Sequence, residues 1–259
     1  MRLRIRHETC YRYDGAPARS TQLLRLTPAD SAAQRVLAWR LTLPGAASEG
    51  VDGFGNRTHL VTLEGPHHEI RLLAEGEVET RAAGPDPAPG PLDVRVYLRQ
   101  SALTAASAAI AGLASGTAPT SAGCASLALR VLEAMPYRPG ATTAGTTAAD
   151  ALALGAGVCQ DHTQVFVAAC RTLALPARYV SGYLLNEDET HAASHAWAEV
   201  WLDEAWHGFD VSNARAPDEH HLRLAVGLDY LDACPVRGVR LGGGDETHRA
   251  HADVRASEE

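Results

Sequence analysis

Polar and less polar residues alternate through most of the first third of the chain. The period of two runs through LRIRHETCYRY (3–13), RVLAWRLTLP (35–44) and EIRLLAEGEVETR (69–81). A half-buried strand has this period because successive side chains point to opposite faces of a sheet. Gly-Asn turn chemistry in VDGFGNRTHLVTLEG (51–65) separates further strand-like runs. Residues 1–96 are therefore expected to form a β-rich N-terminal domain, a small sandwich or curled sheet. AAGPDPAPGPLD (82–93) is rich in Pro and Gly and is expected to be a linker.

Beyond it the period changes. The alanine-rich stretch 101–134 suggests two helices interrupted near SGTAPTSAG. Thr147 and Asp150 have the spacing of a capping box for a short helix over ADALAL, which Gly155 ends. From Val158 the apolar positions 158, 165, 166, 169 and 173 fit a period near 3.6, and Pro176 closes that helix. ARYVSGYLL, SHAWAEVWL and WHGFDVS then follow as strands. Helices followed by strands indicate an α+β domain over 97–241. Residues 242–259 are expected to be a polar, partly disordered tail.

Composition narrows the function classes. The 259 residues are 46% hydrophobic and 21% charged, as in a soluble globular protein. A net charge of −8 argues against nucleic acid as the main partner. All 23 basic residues are arginine, so the chain offers no ε-amine of its own to an acyl group. The N-terminal segment has charges throughout instead of an apolar leader, and no stretch approaches the ~18 apolar residues of a membrane span. Five cysteines, odd in number and without a C-x-x-C pair, exclude a zinc ribbon and disfavour a disulfide framework. A reducing, cytoplasmic location is the expectation. No glycine-rich nucleotide motif is present, and no cofactor is expected.

The candidate chemistry starts at Cys159. Gly155 and Gly157 break the preceding helix, so Cys159 falls in the first turn of the next. Free backbone N–H groups and the helix dipole favour an anion at such a position, where thiols become reactive. The competing reading is a small buried apolar residue, and that reading is kept for Cys170, next to core positions. A cysteine nucleophile needs a base, and the base an orienting group. If Asp203 and Glu204 make a two-residue turn, Leu202 faces Ala205. His195, Trp197, Glu199 and Trp201 then share a face with Trp206, Gly208, Asp210 and Ser212. His195 lies opposite Ser212 and diagonal to Asp210, and diagonal neighbours ~7–8 Å apart can join imidazole to carboxylate. A slipped register would break this parity, leaving His195 as decoration on a half-exposed strand.

Other histidines compete. His162, one turn after Cys159 on an otherwise apolar face, reads as a core histidine. His191 and His195 are four apart but lack the metalloprotease glutamate and lie in loop and strand, so no metal site is expected. The pairs His67-His68 and His220-His221 read as surface, and Asn186–Glu189 as a solvated acidic loop.

GAGVCQDHTQVFVAACRTLALPARYVSGYL, SHAWAEVWL and WHGFDVSN, in this order, resemble the transglutaminase-like core of bacterial proteins. The opening MRLRIRHETCYRYDGAPARSTQLLRLTP is similar to the N-terminal β-region of that family. The resemblance implies a papain-like thiol core in which Cys159, His195 and Asp210 form a catalytic triad. The implied reaction is acyl transfer from amides of protein or peptide substrates. Hydrolysis by a cysteine protease or amidase is the alternative, and a non-catalytic binding module a further one. Trp197 and Tyr183 are candidates to line the acyl pocket, and Trp197, Trp201 and Trp206 to shield the site. Two departures from the family pattern stand out: Gln-Asp-His-Thr-Gln at 160–164 after the nucleophile, where relatives often carry an aromatic and then Ala-His, and Val-Ser after Asp210 in place of the usual Pro-Thr.

Overall fold

The computed structural model describes residues 1–185 and 194–257. His191 and the acidic loop at 186–189 lie outside the described residues. Six strands come first: β1 (Arg2–Tyr13), β2 (Pro17–Leu24), β3 (Gln34–Thr42), β4 (Ala47–Val51), β5 (Arg57–Glu64) and β6 (Glu69–Thr80). A 3-10 turn at Val94–Leu98 precedes α1 (Ala108–Ala114), α2 (Ser121–Ala134), α3 (Ala148–Leu154) and α4 (Cys159–Thr172). Then follow β7 (Ala177–Leu184), β8 (Ser194–Leu202), β9 (Ala205–Phe209), β10 (His221–Gly227), the one-turn α5 (Tyr230–Ala233), β11 (Val236–Gly242) and β12 (Glu246–Ala256). The layout is α+β, with an all-β region ahead of the helices and an antiparallel sheet behind them.

Three antiparallel sheets have the orders β12-β1-β6-β3, β11-β2-β5-β4 and β10-β7-β8-β9. In the first, the period of two does what the sequence implies. Leu3, Ile5, His7 and Thr9 of β1 are buried, while Arg4 and Arg6 meet Glu77 and Glu75 across the outer face at 2.6 and 3.0 Å. The buried face divides its cover between two partners. Ile70, Leu72 and Ala74 pack on Leu24 and Val61 of the second sheet. Leu3, Ile5 and Val78 pack on Tyr183, Leu222 and Leu224 of the third.

The third sheet carries α4 on one face. Every residue from Asp161 to Arg171 is buried, because α1, α2 and α3 close around the helix. The β8–β9 hairpin has the register expected from a two-residue turn. Leu202 pairs with Ala205 and Ala198 with Phe209, and Asp203 and Glu204 both take positive φ, 49° and 62°. That left-handed pair is the twist a tight hairpin needs.

Two segments differ from expectation. Residues 242–259, read as a tail, contain β12, which pairs along β1 from Leu3↔Ala256 to Tyr13↔Glu246. Its polar composition belongs to an edge strand that buries only Ala252 and Val254. The 82–93 stretch is strapped down: Asp86 and Trp206 exchange backbone hydrogen bonds of 3.0 and 2.8 Å. Proline leaves few donors, but one bridge to the edge of β9 fixes the path.

Candidate active site

The turn ahead of α4 is built to place one residue. Gly155 ends α3 in the left-handed region at φ 64°. Gly157 accepts a hydrogen bond from Arg138 N–H at 2.7 Å. Asp161, fully buried one turn into α4, reaches back to accept from Val158 N–H at 2.8 Å and from Thr142 Oγ1 at 2.7 Å. Val158 has no side-chain acceptor, so this carboxylate alone caps the helix start. A Cβ on Gly157 would stand 2.6 Å from that of Asp161, which is why glycine is required there. Cys159 is thus the first residue of α4, half-buried beside Tyr179, Ala196 and Tyr230.

His195 enters from the start of β8. Its Nε2 lies 2.8 Å from Asp210 Oδ2, and its imidazole also interacts electrostatically with Cys159. With Nε2 on the carboxylate, Nδ1 is left for the thiol. Burial favours the neutral ring, but the interactions with Asp210 and Cys159 outweigh it. The pKa rises from 6.5 to about 10. Asp210, 1% exposed, would be raised by burial. Hydrogen bonds from His195, His221 and Asn213 instead hold it well below the usual carboxylate range.

The structure brings Cys159, His195 and Asp210 together, and it moves several other residues out of the picture drawn from sequence. Ser212 does not face His195, because the β9 ladder ends at Phe209 and the chain turns after Asp210. Its hydroxyl meets His162 Nδ1 at 2.9 Å. His162 Nε2 donates to Met135 O at 2.6 Å, so His162 is a core strut, lowered below 6.5 by burial. The two departures from the family pattern therefore touch each other. Tyr183 is no pocket wall: fully buried against the first sheet, its hydroxyl meets His7 Nδ1 at 2.6 Å. Trp197, 3% exposed, stacks on the His195 ring at 6.3 Å instead of presenting a face to substrate. Trp201 and Trp206 pack on one another at the far end of the hairpin, with Arg178 over Trp206. Cys170 is fully buried, its thiol pushed well up by burial.

Sequence reasoning missed two neighbours of Asp210. Asn213 donates from Nδ2 at 2.7 Å, and the D-x-x-N spacing of an Asx turn was its signal. His221, read as surface, is buried with Nε2 3.0 Å from Asp210 Oδ2. Its position as the first residue of β10 was the available clue. His195, Asp210 and His221 place ligating atoms within 4.8 Å of one another. A divalent ion taken there would break the hydrogen bonds that hold His195. A cavity of about 350 Å³ is bordered by Trp197, Glu199, His221 and Arg81 but not by Cys159.

Comparison with known proteins places the chain among relatives. Residues 3–79 match the bacterial transglutaminase-like N-terminal region and residues 107–211 the transglutaminase-like superfamily. An uncharacterized protein of Mycobacterium tuberculosis is 30% identical over 273 residues, covering 92% of this chain and 87% of its own. One from Mycobacterium leprae is 29% identical, with 94% of each covered. A candidate cysteine protease from Cytophaga hutchinsonii, known as a crystal structure, superposes with a TM-score of 0.81 at 20% identity. The match covers 100% of this chain and 91% of that one.

Proposed function

We propose that this chain, which belongs to the transglutaminase-like superfamily, is a cysteine-dependent acyl-transfer enzyme acting on amides of protein or peptide substrates. The observation that carries the reading is His195, held at 2.8 Å by the buried Asp210 and electrostatically coupled to Cys159 at the start of α4. The Cys159 thiolate attacks the amide carbonyl and forms a C–S bond. His195 gives its proton to the leaving amine as the C–N bond breaks, leaving a thioester. His195 then takes a proton from the acceptor, whose attack breaks the C–S bond and restores the thiolate. Asp210 fixes the ring orientation and balances its charge. The Cys159 N–H, at the open end of α4, faces no intrahelical acceptor and serves as an oxyanion donor.

An amine acceptor makes the enzyme a transferase and water makes it a protease or amidase. The likeness to the Cytophaga hutchinsonii candidate protease keeps hydrolysis as the second reading. Because the chain has no lysine, an ε-amine acceptor comes from another molecule. A triad with all three members in place speaks against a binding module that has lost catalysis. All five cysteines are free thiols. Among the described residues no helix is long and apolar enough to cross a membrane.

The test is a glutamine-containing peptide incubated with and without a primary amine and followed by mass spectrometry. An acyl adduct on Cys159, absent from Cys159→Ala, is expected, with an amine-linked product when amine is present. Free acid and ammonia alone would establish hydrolysis instead, and no adduct in either case would overturn the reading.

A further inference from the structure

We propose that His221 is a second positioning histidine, whose Nε2–H fixes the carboxylate of Asp210 and through it the ring of His195. The inference rests on the acyl-transfer reading above and adds a residue outside the triad.

Asp210 Oδ2 receives His195 Nε2 at 2.8 Å, Asn213 Nδ2 at 2.7 Å and His221 Nε2 at 3.0 Å. Asn213 belongs to the same turn as Asp210 and moves with it. His221 comes from β10, across the sheet, so it ties the carboxylate to a different element. The two imidazole centroids stand 6.0 Å apart, with Trp197 stacked on His195 and edge-on to His221 at 5.4 Å.

The proton on Nε2 follows from what faces each ring nitrogen. His221 Nδ1 has Asp218 N–H at 3.1 Å and Asp218 Oδ1 at 2.9 Å. A neutral ring with its proton on Nε2 accepts from the N–H, and a charged ring also donates to the Asp218 carboxylate. A neutral ring with its proton on Nδ1 would instead set the bare Nε2 lone pair 3.0 Å from Asp210 Oδ2, which can only accept, so the proton belongs on Nε2. Asp218 is itself anchored by Arg215 at 3.0 Å and by His220 N–H at 3.0 Å. The result is a continuous chain, Asp218–His221–Asp210–His195–Cys159, with a negative group at every second place up to the thiol.

The test uses the pH dependence of Cys159 alkylation by iodoacetamide. The wild-type protein is expected to label rapidly at pH 6 as well as at pH 9. His221→Phe removes a hydrogen bond to a charged group, which corresponds to about tenfold or more in rate at pH 6. Its rate at pH 9, where hydroxide competes with the imidazole as base, should stay near wild type. His221→Gln, whose amide nitrogen can replace Nε2, should recover most of the pH 6 rate. Equal losses at both pH values, or none in His221→Phe, would overturn the positioning role. Slow labelling of the wild type at pH 6 would instead overturn the activity reading itself. Nitrogen-15 NMR of the wild-type histidines decides the hydrogen-bond assignment without any folded variant: His221 must show a protonated Nε2, and a bare Nε2 would overturn the proposal.

Discussion

At the scale of single residues, the site works through opposed effects on one imidazole. Burial alone would keep His195 neutral, but its interactions with Asp210 and Cys159 outweigh burial and hold the proton up to about 10. The folded value lies above the ordinary 6.5. The stabilisation is therefore complete below pH 6.5 and is lost as pH rises toward 10. The same proton is the one delivered to the leaving amine, so activity should persist well above neutrality. An NMR titration of the resting protein should give a His195 midpoint near 10. A midpoint at or below 6.5 would show that burial wins and that the ion pair does not form.

At the scale of elements, the helix start and the hairpin were legible in different degrees. The glycines before Cys159 and the two-residue turn at Asp203-Glu204 are local signals, and both led to the observed backbone. The hairpin register permitted the partnership of His195 with Asp210, and the family resemblance assigned it. Neither reached His221 or the His162–Ser212 contact, since they join elements far apart in sequence and no local pattern encodes them. Tyr183 and the tail failed for a related reason: the apolar face that covers Tyr183, and the β1 edge that β12 completes, come from the other end of the chain. Asp161 offers the test at this scale. Asp161→Ala removes the acceptor of Val158 N–H and Thr142, which costs about 1–3 kcal/mol for buried groups left unpaired. The melting temperature should fall, and Cys159 alkylation at pH 6 should slow because its turn loosens. An unchanged melting temperature would mean that the glycine turn, and not the carboxylate, sets the helix start.

At the scale of the whole molecule, the N-terminal β-region completes the sheet that carries His195. β10 is an edge strand, and its backbone is met by two side-chain amides from that region. Gln34 bonds both Arg223 N–H and C=O, at 2.8 and 2.9 Å. Asn56 does the same at Val226, at 2.8 Å each. Removing residues 1–90 would leave these groups unpaired and should unfold the core. The junction also holds His7, 3% exposed between Tyr183 and Thr9. Burial first, and then the charge of His251, lower it from 6.5 to about 4. The unfolded chain therefore takes up a proton that the folded chain refuses. Stability is full above pH 6.5 and falls as pH drops toward 4, by on the order of 3 kcal/mol from this group. His59 and His162 are also lowered by burial, so the assignment must come from a difference. Urea unfolding of the wild type and of His7→Gln at pH 7, 5.5 and 4.5 supplies it. The variant should be less stable at pH 7 and lose less between pH 7 and 4.5. Parallel losses in the two proteins would mean that acid acts at the other buried histidines and leaves this junction intact.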